Sequence, residues 1–404
     1  MKNHMLVLIS VAVALAPVIA LASTGPTVFG YAQVTGSEQF GTGGAEIPLA
    51  FNGEPIPGAN YYADGIIVGM HRIRLGFKGE AVPGVNIFFQ YKWDGAWTSS
   101  GIGADFGSSG VQDAYFNLRI FPEVQMQVGK FVVPIGFERQ ELGNKLLFIQ
   151  RSMNQSLDAN RSVGIMFHGT NVMDSDVYYK IGVFDNYSSD PHNAFNGVGV
   201  ALPTGSGQTT VGGILSNGSG HYILAGMLGY TASFLNVELS VARADANQAY
   251  PYFAQSIDAW NVGAKGDLEG LEYMAEYSHV SSYQGIEGLG AQDWYVALAA
   301  NLHQMTLTPD WLDIEPTLRI ERFQWTGTND LGSGLNNYTI GVNYSVDPNN
   351  PYAARVQLNY VVPTGASRYR EDYTMFRAGA STYNPVPDNA YIYNTAVLQM
   401  QVAF

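Results

Sequence analysis

Cysteine is absent from this 404-residue chain. That excludes disulfide staples, thiolate metal sites, covalently attached c-type haem and cysteine nucleophiles. Charge is scarce as well: Asp, Glu, Lys and Arg make up 13% of the residues, against roughly one quarter in soluble globular proteins. The charge present leans acidic, with 34 carboxylates against 20 basic side chains and a formal net charge of -14. Nucleic acid is therefore an unsuitable partner, since phosphate contacts want a basic surface. Beyond residue 22 there is no apolar run long enough for a membrane helix. The histidines (His4, His71, His168, His192, His221, His279 and His303) lie far apart without metal-ligand spacing. Neither Gly-x-Ser-x-Gly nor His-Glu-x-x-His occurs. No enzymatic chemistry, metal or cofactor is expected.

Glycine and aromatic residues are abundant instead: Gly 46, Tyr 25 and Phe 20. Tight turns and aromatic girdles at the two interfaces of a membrane barrel would use them. The mean hydropathy of -0.02 suits strands that put alternate residues in lipid and in water, because the average hides the alternation. At the N-terminus, Lys2 precedes an apolar run over Met5–Ala16, and Ala20-Leu21-Ala22 follows with a small-x-small pattern. This predicts an export signal peptide over residues 1–22, cleaved to leave a domain over 23–404.

Period-two alternation recurs through that domain. Tyr338, Ile340, Val342, Tyr344 and Val346 share one face, and Thr339, Gly341, Asn343 and Ser345 the other. Val85, Ile87, Phe89, Tyr91 and Trp93 likewise alternate with Asn86, Gln90 and Lys92. One side wants lipid and the other water. The template predicts about sixteen strands, an even number as single-chain bacterial barrels require. They begin at Val28, Ile66, Val85, Val111, Val124, Ser162, Val177 and His221, then at Leu235, Ser256, Leu271, Gln292, Ile314, Tyr338, Ala353 and Ile392. Short links such as Phe121–Glu123 follow even-numbered strands, and long Gly-, Ser-, Asn- and Pro-rich stretches follow odd-numbered ones. A sandwich has no reason to sort its loops by length in this way. The reading is an all-β transmembrane antiparallel barrel in the bacterial outer membrane, with both termini periplasmic. The final strand, Leu398-Gln-Met-Gln-Val-Ala-Phe404, resembles the signature by which barrel assembly machinery recognises its substrates.

One stretch is more specific. Gly129-Lys-Phe-Val-Val-Pro-Ile-Gly-Phe-Glu-Arg139 is followed by Arg151-Ser152 and by Arg161-Ser-Val-Gly164. It resembles the phosphate-selective porin O and P family, whose members carry a similar Gly-Lys-x-x-x-Pro-x-Gly-x-Glu run. The resemblance implies a sixteen-stranded homotrimeric barrel whose third long loop, here 134–160, folds into the lumen and constricts it. That loop carries Glu138, Arg139, Glu141, Lys145, Arg151 and Asp158, with Arg161 at the start of the next strand. These residues either filter solutes or pin the loop to the wall through ion pairs. Arg72, Arg74 and Lys78 on one early strand, Lys92 on the next and Arg119 on the one after would form a basic wall facing them. Later strands mix signs, with Glu238, Glu272, Glu276, Glu315 and Glu321 beside Lys265, Arg319 and Arg355, which is a poor anion ladder. The expected function is passive diffusion of small hydrophilic solutes or ions, including anions such as phosphate, through a pore embedded in outer-membrane lipid. The alternative is a structural sheath around a cytochrome or another periplasmic partner, for which the barrel itself needs no haem motif.

Overall fold

The computed structural model describes residues 25–40, 46–51, 54–62, 66–94, 108–185, 193–195, 210–211, 214–215, 222–244, 255–285, 287–327, 334–365, 387, 389–391 and 393–404. The expected signal peptide lies outside them, as do His221 and Ile392, the expected first residues of two strands. Sixteen strands close into one antiparallel barrel. The first eight are β1 (Thr27–Phe40), β2 (Ile66–Val82), β3 (Val85–Asp94), β4 (Ser108–Phe121), β5 (Val124–Val132), β6 (Arg161–Gly169), β7 (Val177–Asp185) and β8 (Tyr222–Thr231). The others are β9 (Leu235–Ala244), β10 (Ile257–Leu268), β11 (Leu271–Ser281), β12 (Gly290–Ala300), β13 (Asp313–Thr326), β14 (Gly334–Ser345), β15 (Ala354–Thr364) and β16 (Asn394–Ala403). Each pairs with its neighbours in sequence, and β1 closes the ring against β16. At the seam Gly30 and Phe404 exchange both backbone hydrogen bonds at 3.0 Å. Closure leaves no unpaired edge, which is what a sheet needs to stand in hydrocarbon.

Burial along the strands runs opposite to that of a soluble sandwich. On β14, Tyr338, Ile340, Val342 and Tyr344 are exposed while Asn337, Thr339 and Asn343 are buried. On β13, Leu318 and Ile320 are exposed beside the buried Arg319 and Glu321, and on β9 Leu239 and Val241 beside Glu238 and Ser240. Leaving such an aliphatic side chain in water forfeits about 1.5–3 kcal/mol, so a band of them around the barrel is stable only against lipid.

The inner face departs from the expected uniform polarity. Near the long-loop ends, Ala242, Ile257, Ala259, Phe323, Trp325 and Leu335 point inward and form one buried cluster with Val133, Ile135, Met153 and Leu157 of the third loop. Apolar residues are tolerated there because the loop covers them and keeps water away. Two small hairpins, Glu46–Phe51 with Glu54–Tyr62 and Thr210–Val211 with Ile214–Leu215, lie in the first and fourth long connections.

Candidate functional site: a loop bound to the inner wall

The segment between β5 and β6 begins with a turn that its sequence dictates. Gly136 takes a φ of 81°, and a Cβ added there would land on the Asp158 carboxyl, so only glycine fits. Phe137–Gln140 then form α1, a single turn whose leading amides have no partner within the helix. Glu276 of β11 supplies the acceptors. Its carboxylate accepts the Phe137 amide at 2.6 Å and the Glu138 amide at 3.1 Å. Asn261 on β10 and the Tyr295 hydroxyl on β12 donate to the same carboxylate at 2.6 and 2.8 Å. The acid is thus held in place to receive the loop.

A buried connecting segment must satisfy its backbone somewhere, and here inward side chains do so around the barrel. Arg319 of β13 donates to the Gln150 carbonyl at 3.0 Å, and its neighbour Glu321 accepts the Met153 amide at 3.0 Å. Arg355 of β15 donates to the Leu146 carbonyl at 3.0 Å and pairs with Glu315 at 2.9 Å. Asn343 donates to the Leu147 carbonyl at 3.0 Å, and Asn359 accepts the Ile149 amide at 2.9 Å. Gln401 of β16 and Gln33 of β1 reach the Asn144 and Gly143 carbonyls at 3.0 and 3.1 Å.

Most of the loop charges singled out from sequence have fixed partners. Glu138 is buried, accepts the Ser152 amide and hydroxyl at 2.8 and 2.7 Å, and lies 3.8 Å from Arg319. Arg139 and Arg151 are buried and donate to Gln155 at 3.4 Å and to the Glu141 carbonyl at 2.5 Å. Glu141 pairs with Lys265 at 3.0 Å, and Arg161 with Asp113 at 2.9 Å. Asp158 is 1% exposed. Burial, reinforced by Glu276 and Glu138, raises its carboxyl well above the usual carboxylate range. Lys145 differs: it is exposed, with its ammonium 5.7 Å from the Tyr352 ring centre.

The cations expected as one patch divide into two levels. Arg74 and Lys92 stand directly opposite each other on β2 and β3. Arg72 bridges wall and loop, donating to Gln33 at 3.1 Å and to the Ile149 carbonyl at 3.4 Å. Lys78 and Arg119 are exposed closer to the short turns, Arg119 with its amide on the Gly84 carbonyl at 2.7 Å. The amides Gln33, Asn343, Asn359 and Gln401 were not singled out from sequence, where they looked like a solvated lumen face. The signal present, for all but Gln33, was the repetition of amides at alternate positions of β14 to β16.

The motif around Gly129 now has a physical content. Gly129, at φ 133°, lets β5 lie against Ala114 and Tyr115. Gly136 makes room for Asp158, and Glu138 ties the loop to Ser152 of the Arg-Ser pair. Residues 59–222, a span that contains this motif and the whole third loop, match the family model for phosphate-selective porin O and P. The resemblance read from the motif holds. The porin fold extends over the rest of the barrel. The anion-selective porin from Comamonas acidovorans is 13% identical, with a TM-score of 0.56 over 94% of this chain and 99% of that one. Salmonella typhi OmpF, in its complex with daunomycin, is 11% identical, with a TM-score of 0.58 over 94% and 97%. Vibrio cholerae OmpT, expressed in the outer membrane, is 9% identical, with a TM-score of 0.52 over 94% and 97%. At these identities the likeness is one of fold. No curated protein sequence matches the chain. The chain has the porin fold, and over residues 59–222 it is similar to the phosphate-selective porin O and P family.

Proposed function

We propose that this porin is a passive diffusion channel for small hydrophilic solutes and ions, narrowed by residues 134–160 and preferring anions. The observation that carries the reading is the bonding of the loop backbone to inward side chains of β1, β11, β13, β15 and β16. A segment held in this way lies across the water-filled path and sets its width.

The sign of the preference rests on the cations on the inner face of β2 and on the third loop. Glu138 is engaged by Ser152 and Arg319, Glu141 by Lys265, and Glu315 by Arg355. Arg72, Arg74 and Lys78 step along β2 from the level of the loop toward the short turns, and Lys145 stands exposed on the loop. A low-dielectric wall strengthens the field of such a row. The solved relative from Comamonas acidovorans, an anion-selective porin by name, is in keeping with this sign. Phosphate is the narrower form of the proposal, supported by the family match. Trimer assembly is the quaternary form that the resemblance implies, and cross-linking in native membranes would test it. The sheath reading gains no support, because a threaded cytochrome needs the lumen into which the wall draws the loop.

The test is the reversal potential and single-channel conductance of the purified protein in a planar bilayer under a KCl gradient, followed by added phosphate. Stepwise conductance with anion preference supports the reading, and block by phosphate supports its narrower form. Cation preference would overturn the charge argument, and folded protein that does not conduct would overturn the pore.

A further inference from the structure

The inner wall of the early strands carries aromatic rings where a water-filled lumen calls for polar side chains. Neighbouring ring centres lie 5.1 Å apart from Phe29 to Phe88, 5.1 Å from Phe88 to Tyr115, 5.7 Å from Tyr115 to Phe131 and 5.4 Å from Phe131 to Phe184. The far end of this row has a structural role, since Phe131 and Phe184 are buried in the cluster that covers the third loop. The near end is less enclosed: Tyr115 packs against the edge of that cluster, and Phe88 lies beyond it. Phe88 and Tyr115, stacked across β3 and β4, line a recess of about 530 Å³ to which no residue of 133–160 contributes. Its volume lies within the roughly 300–1,000 Å³ typical of small-molecule sites.

Hydrogen-bonding groups surround the rings. Asn86, Asn117, Gln127 and His168 line the recess on the same inner face. Asn117 is pre-oriented, accepting or donating on both sides: its Oδ1 lies 2.8 Å from His168 Nε2, and its Nδ2 donates to Gln125 at 2.7 Å. Lys78 stands at the edge, its ammonium 5.7 Å from the Phe29 ring centre. A half-exposed ring pair beside amides and an imidazole suits a solute with an apolar face and a hydroxylated rim. A pyranose sugar has that chemistry: its C–H face covers the rings and its hydroxyls meet the amides.

We infer that this recess is a low-affinity binding site for pyranose sugars, separate from the loop constriction. The inference deepens the pore reading by naming a solute class, and it rests on the lumen being open to solutes. Its test is calorimetric titration of maltose, with the open-chain polyol sorbitol as comparison, into the folded full-length protein in detergent. Conductance in KCl is recorded separately. Maltose binding that sorbitol does not reproduce, weakened roughly tenfold by Phe88→Ala and less by Asn117→Ala, is the expected result. Equal responses to maltose and sorbitol, or no maltose binding by the unmodified protein, would overturn the inference without reference to any variant. Binding without KCl conductance would keep the site and remove the pore reading. Conductance without binding would do the reverse.

Discussion

On β11 to β16 the polar inward residues that meet the third loop are acids, amides and guanidinium groups, and they hydrogen-bond loop backbone atoms. On β3 and β4 the inner face carries rings and amides that line a recess the loop does not enter. Both faces are polar in period and both come from alternating strands, yet one is a socket and the other an open wall. Charge count therefore does not tell what a lumen selects. Glu276, Arg319, Glu321 and Arg355 are charged positions of the inner face whose bonds hold the third loop.

If the late wall is a socket, breaking it should release the loop while changes to the early wall should not. Arg319→Ala carries the largest expected effect. It leaves Glu138 and Glu321 buried without their cation, a loss of about 3–5 kcal/mol, and should lower thermal stability and raise single-channel conductance together. Glu276→Ala comes next, since the Phe137 and Glu138 amides lose their acceptor at about 1–3 kcal/mol each. Gln90→Ala, on the inner face of β3, should change neither reading, and an equal rise in conductance there would dissolve the distinction between the walls.

Selectivity should respond to the cations of the third loop and of β2. Lys145→Glu and Arg74→Glu should each move the reversal potential toward cations. Lys145 is exposed and its charge acts through water, at about 1 kcal/mol per unit charge, whereas Arg74 is buried in the wall. Unchanged reversal potentials in both variants would remove these residues from the path. The smallest effect belongs to Asp158. Its raised carboxyl means that the folded loop keeps a proton the unfolded chain gives up. The associated stability is fully present below the ordinary carboxylate range and is lost as pH rises through the raised value. Asp158→Asn should flatten that dependence in melting curves recorded between acid and neutral pH. A pH profile unchanged from the parent would show that Asp158 is ionised in the folded protein.

The barrel was legible in the sequence because lipid imposes a strict rule: every second residue from Tyr338 to Tyr344 must be apolar, and one register slip would turn all of them inward. All sixteen expected strands form, with ends that differ by a few residues. The inner wall was less legible. A polar residue facing inward satisfies the same pattern whether it meets water or a carbonyl of the loop, so Asn343, Asn359 and Gln401 carried no distinguishing mark. The inward Phe323 and Trp325 broke the alternation for a reason set elsewhere, since the apolar side of the loop lies against them. The motif around Gly129 was the exception. Its glycines are fixed by close approach, and its acid by the Ser152 amide and hydroxyl that donate to it within the loop, constraints local enough to leave a sequence trace.

The absence of cysteine allows a direct test of whether the loop lines the path. Lys145→Cys introduces one thiol on the exposed face of the third loop, and a charged thiol reagent is added while single channels are recorded. Stepwise loss of conductance on modification, with a change of selectivity that follows the sign of the reagent, is the predicted result. A modified channel that conducts and selects as before would place the loop outside the path and contradict the account.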